Sequence, residues 1–126
     1  MRSLIALIFM TFVVMVQAET AAPLQPTQLL GTWQVDLRPT PDAKPYFQQF
    51  VVTKVHPDNS FEGTFYGAPI SQARLNKDWG TLRIAFVTAD QSGPYNHSAV
   101  LQGTTLEGMT NSTGRDFLSY WSAVKQ

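Results

Sequence analysis

From Leu29 onward the chain alternates apolar and polar residues in short runs separated by turn residues. Leu29, Gly31, Trp33, Val35 and Leu37 interleave with Thr32, Gln34, Asp36 and Arg38. This is the period of two expected of a half-buried strand, whose successive side chains point to opposite faces. Pro39, Pro41 and Pro45 then make a rigid loop, and the aromatic and β-branched stretch Tyr46 to Val55 predicts a second strand. After the turn residues Pro57-Asp58-Asn59, Phe61, Gly63, Phe65 and Gly67 alternate with Glu62, Thr64 and Tyr66 in a third. Its two glycines point to a bend or a close backbone approach. Further strands are predicted over Ile70 to Leu75, Thr81 to Thr88, Tyr95 to Gln102, Leu106 to Thr110 and Phe117 to Val124, about eight in all.

No window of this region keeps a helical period, and the connections are too short for crossover helices. The expected fold is therefore all-β and antiparallel. An up-and-down barrel of about eight strands is favoured, because closure removes exposed strand edges; a β-sandwich is the alternative. Outward positions such as Gln34, Asp36, Arg38, Glu62 and Arg83 do not form the lipid-facing apolar band of an outer-membrane barrel.

The N-terminus departs from this pattern. Met1-Arg2 precede thirteen residues, Leu4 to Val16, that are apolar except for Thr11, and Val16-Gln17-Ala18 supplies the small-x-small pattern of a cleavage site. The run is short for a membrane span, which needs about 20 residues, so residues 1–18 read as a secretory signal peptide. Residues 19–28 read as a flexible leader and 29–126 as one domain. Secreted material is expected to begin at Glu19. Intact-mass measurement of exported protein checks this, and a mass that includes residues 1–18 would refute it.

The whole chain carries nine basic and nine acidic residues; without Arg2 the mature chain has eight against nine. That balance argues against a nucleic-acid partner, which calls for a basic face. There is no cysteine, so neither a lipid anchor at a lipobox nor a disulfide is available, and the core alone must hold the fold.

Leu30-Gly31-Thr32-Trp33, at the head of the first strand, resembles the Gly-x-Trp signature of lipocalins and avidins. Phe61-Glu62-Gly63-Thr64-Phe65 resembles the third-strand pattern of avidins. The resemblance implies a calycin-type barrel in which Gly31 and Trp33 form the floor and Arg115, before the last strand, stacks on Trp33. It does not extend to the biotin site: Val35, Phe65 and Gly67 stand where avidins carry Asn, Tyr and Ser.

Candidate chemistry is sparse. His97, Ser98 and Asp90 or Asp116 make a nominal Ser-His-Asp set. However, there is no strained nucleophile turn, and adjacent strand residues face opposite ways. His56 and His97 lack the paired spacing of a zinc site. Trp79 in a turn and Arg115-Asp116 before the last strand are candidates for a ligand rim, or for structural capping. Asn96-His97-Ser98 and Asn111-Ser112-Thr113 match the glycosylation sequon, which matters only in a eukaryotic secretory pathway.

The expectation is thus an exported, non-enzymatic binding protein without metal or cofactor. Its ligand would be a small apolar or amphipathic molecule lined by Phe65, Phe86, Tyr95, His97 and Trp121. His97 would hydrogen-bond the ligand's polar head, and a ligand carboxylate would bind better as pH falls. The alternative partner is an exported protein, engaged through the N-terminal segment in the manner of small-barrel protease inhibitors.

Overall fold

A computed structural model describes residues 8–15 and 24–126. The expected cleavage site after Ala18 and the leader as far as residue 23 lie outside the described residues. Residues 8–15 form neither helix nor strand and expose their apolar side chains. Among the described residues no helix is long and apolar enough to cross a membrane.

A short 3-10 turn, Pro26–Leu29, precedes nine strands. These are β1 (Gly31–Asp36), β2 (Phe47–Val55), β3 (Phe61–Phe65), β4 (Ala68–Pro69), β5 (Ser71–Asn76), β6 (Arg83–Asp90), β7 (Gly93–Gln102), β8 (Thr105–Ser112) and β9 (Phe117–Lys125). All ladders are antiparallel, in the order β4-β3-β2-β1-β9-β8-β7-β6-β5. The first and last strands pair, with Trp33 opposite Lys125 and Val35 opposite Ala123. The fold is therefore a nearly closed up-and-down barrel, as the alternation requires.

The count of nine against an expected eight comes from one interrupted strand. β4 is antiparallel to β3, and Arg74 of β5 bridges antiparallel to Ser60, the residue just before β3, so β4 and β5 run the same way with only Ile70 between them. β5 matches the fourth strand expected over Ile70 to Leu75, and β4 is a short stretch ahead of it that pairs with β3 before the chain joins β6. Pro69, which has no N–H to donate, sits at this transfer, and Gln72 takes a positive φ of 51° within the irregular β5–β6 register. The barrel seam runs here. Leu75 N–H donates to the Asn59 carbonyl at 2.8 Å, closing its lower end.

The lower half of the barrel is solid. Trp33, Val35, Phe50, Phe61, Leu82, Phe86, Leu106 and Trp121 are all buried in one cluster. Phe86 stacks on Phe50 at 4.8 Å between centroids, and Phe65 lies 5.4 Å from both Phe86 and Trp121. Two glycines make this packing possible. A Cβ on Gly108 would stand 2.3 Å from the Trp121 ring, and one on Gly63 would stand 1.8 Å from the Val51 carbonyl oxygen. Gly63 is thus the close backbone approach anticipated for β3, beside the irregular β2 register between Val52 and Lys54.

The closed end is organised around Trp33. Its Nε1 donates to the Leu29 carbonyl at 2.9 Å, and Lys125 Nζ stands 5.3 Å over its ring while donating to the Gln28 carbonyl. Arg115 does not stack on Trp33. It lies at the other end of β9, 5.2 Å over the Phe117 ring. The reason is register: β9 meets β1 through its C-terminal half, which brings Lys125 to the floor. Gly31 is exposed, with a φ of 121°, at the edge of this end and does not plug it.

Candidate functional site

Above the solid half, the upper end of the barrel opens into a cup of about 520 Å³. Its wall comes from the upper ends of the strands, where side chains on the inner face become smaller or polar. On β6 the inner face changes from Ile84 and Phe86 to Thr88, on β8 from Leu106 and Gly108 to Thr110 and Ser112, and on β9 from Trp121 to Ser119. Phe65 and His97 form the floor, and Leu37, Ala68, Tyr95 and Phe117 the sides.

The five residues expected to line an open lumen therefore separate by height. Phe65, Tyr95 and His97 do line the cup. Phe86 and Trp121 face inward as expected, but they lie beneath the floor, 1% and 0% exposed. Phe86 stacks under the His97 imidazole at 4.7 Å, and Phe65 touches the same ring at 4.4 Å.

His97 is held on both nitrogens. Thr88 Oγ1 lies 2.8 Å from Nε2 and Thr110 Oγ1 lies 2.8 Å from Nδ1, while Trp121 Nε1 donates to Thr110 Oγ1 at 3.0 Å. Burial disfavours the imidazolium and lowers the pKa to about 4, so the ring is neutral at ordinary pH. With both nitrogens engaged, it has no free site to offer a ligand. The polar capacity of the floor lies in the two threonine hydroxyls, which the sequence reading passed over. A threonine at an inward-facing strand position above a run of apolar residues was the available signal.

The rim is polar. Tyr95 donates its hydroxyl to Asp90 Oδ2 at 2.8 Å, and Ser92 N–H donates to Oδ1. The Tyr95 hydrogen bond first, then that of Ser92, hold the Asp90 carboxyl below the usual range. Across the mouth, Tyr46 and Tyr66 share a hydrogen bond between their hydroxyls. Arg115 lines the same mouth, and among the described residues no carboxylate lies within ion-pair distance of it.

The remaining candidates are not brought together. Ser98 faces outward while its neighbour His97 is buried, so the nominal Ser-His-Asp set does not assemble. His56 Nε2 pairs with Glu62 Oε2 on the surface at 2.6 Å. Trp79 is exposed in its turn and does not line the cup. Among the described residues no group of three His, Asp or Glu side chains is placed to hold a metal. No family model, no curated protein and no solved structure matches the chain.

Proposed function

We propose that the chain is an exported, non-enzymatic binding protein of lipocalin- or avidin-like design, holding one small amphipathic molecule in the cup. The observation that carries the reading is the division of the barrel into a solid aromatic half and an open half. The open volume falls within the ~300–1,000 Å³ of small-molecule sites, and its surface suits an amphipathic ligand: Leu37, Phe65, Ala68 and Phe117 are apolar, while Thr88, Thr110 and Ser119 bring hydroxyls below a polar rim. An eight-strand barrel is just wide enough to be filled or to hold one such ligand, and here the side chains fill only the lower part.

Titration with the neutral naphthalene dye N-phenyl-1-naphthylamine tests this. Wild type should bind one equivalent saturably, with increased fluorescence. Ala68→Trp, which places an indole in the cup wall, should weaken binding at least about tenfold while leaving the unfolding midpoint near that of wild type. Absence of saturable binding by wild type, or undiminished binding by Ala68→Trp, would remove the cup as the binding site.

A further inference from the structure

The hydrogen-bonded chain under the cup has one hydrogen too many. Trp121 Nε1, Thr110 Oγ1, His97 and Thr88 Oγ1 are joined by three contacts of 3.0, 2.8 and 2.8 Å. The four groups carry four hydrogens: the indole N–H, two hydroxyls and the single N–H of a neutral imidazole. Each contact uses one. The indole can only donate, so the surplus hydrogen falls on a hydroxyl. It is on Thr88 when His97 is protonated at Nε2, and on Thr110 when it is protonated at Nδ1.

Polarisation along the chain decides between the two. With the proton on Nε2, every bond points the same way, from Trp121 to Thr110 to His97 to Thr88, and each donor is strengthened by the bond it accepts. With the proton on Nδ1, two donors converge on Thr110 Oγ1 and the run is broken. The surplus hydrogen therefore belongs to Thr88. Thr88 is 7% exposed and lines the cup, and its hydroxyl has no hydrogen-bond partner besides His97 among the described residues.

We propose that the Thr88 hydroxyl is a fixed hydrogen-bond donor in the cup wall beside the floor, and that the ligand carries a neutral carbonyl-type oxygen to meet it. This rests on the cup being the binding site and adds the ligand's chemistry. A carboxylate is the poorer occupant. Thr88 is bonded to a neutral His97 whose ring packs on Phe65 and Phe86, and one neutral donor does not offset the cost of desolvating a charge there. Arg115 lines the mouth with no carboxylate in ion-pair distance among the described residues, and the naphthoate arm of the test measures its pull on an anion against that cost.

Three probes of one shape test it at pH 7.5: 2-acetylnaphthalene, 2-ethylnaphthalene and 2-naphthoate, against wild type, Thr88→Val and Thr88→Ser. Thr88→Val keeps the shape and removes the donor, leaving the His97 N–H behind a methyl group. The ketone should weaken by about tenfold in Thr88→Val and remain close to wild type in Thr88→Ser, while the ethyl compound changes by less than about twofold in both. The ¹⁵N shifts of His97 should show Nδ1 as the unprotonated nitrogen. If the ketone and the ethyl compound both bind but their affinity ratio is the same in Thr88→Val as in wild type, the donor assignment is overturned and the cup reading stands. Tightest binding by the naphthoate overturns the neutral-oxygen assignment. Failure of all three probes to bind overturns the cup reading and this proposal with it.

Discussion

Trp33→Ala is expected to lose about 3–5 kcal/mol of stability, the range for deleting a packed aromatic. Small domains have only about 5–15 kcal/mol in total, so the denaturant midpoint should fall by a large fraction. Three effects combine at this residue. The indole is 1% exposed and one of the two largest fully buried side chains, so its removal leaves a void that the surrounding strands cannot close. It also donates to the Leu29 carbonyl, and loss of the donor frees the 3-10 turn that covers the closed end. Finally, Trp33 is on β1, where β2 and β9 meet; it faces Phe50 on one side and Lys125 on the other. Trp33→Phe keeps most of the volume and loses the N–H, so it should cost only about 1–2 kcal/mol. Equilibrium urea unfolding of the two variants reads both figures. A Trp33→Ala midpoint within error of wild type would show that the indole does not hold the closed end.

Alternation told which way each side chain faces, and it did so because a barrel strand has one inside. Phe65, Phe86, Tyr95, His97 and Trp121 all point inward. It could not tell how high along the barrel each one sits, since height depends on the stagger between strands, which is set by pairing across the whole sheet. Phe86 and His97 are directly opposed on β6 and β7, yet one packs beneath the floor and the other forms it. The same limit explains Arg115. The family resemblance supplied an arginine before the last strand, but the β1–β9 register brings Lys125 to Trp33 and leaves Arg115 at the mouth. The broken fourth strand was only partly legible. Gly67 pointed to a bend, but the transfer from β3 to β6 depends on where β6 lies. The threonine pair at His97 was missed for a different reason. Threonine is an ordinary strand residue, and only its inward phase at positions 88 and 110 sets these two apart.

Stability should fall between about pH 6.5 and pH 4, and His97 should be the cause. In the folded protein burial lowers its pKa to about 4 from the ordinary value of 6.5. Above pH 6.5 both the folded and the unfolded chain hold a neutral imidazole, and the group has no effect on stability. Between the two values the unfolded chain takes up a proton that the folded chain refuses, so acidification favours unfolding. Below about pH 4 both states are protonated and the loss levels off. A shift of this size corresponds to about 3 kcal/mol. The groups packed around the ring are Phe65, Phe86, Trp121 and the hydroxyls of Thr88 and Thr110, none of them charged, so nothing nearby compensates an imidazolium. The carboxyls of Asp36, Asp42, Asp58 and Asp90 are held below their ordinary value of 3.8. Their contributions are lost at lower pH, outside this window. His97→Gln retains hydrogen-bonding groups between the two threonines and does not titrate. Urea unfolding at intervals from pH 7.5 to 4.5 should give wild type a falling stability and His97→Gln a nearly flat one over the same range. Equal slopes in the two proteins would mean that the imidazole is not held neutral under the cup. A polarised chain ending at Thr88 would then lose its basis, because an imidazolium must donate from both nitrogens and leaves a free hydrogen on each threonine.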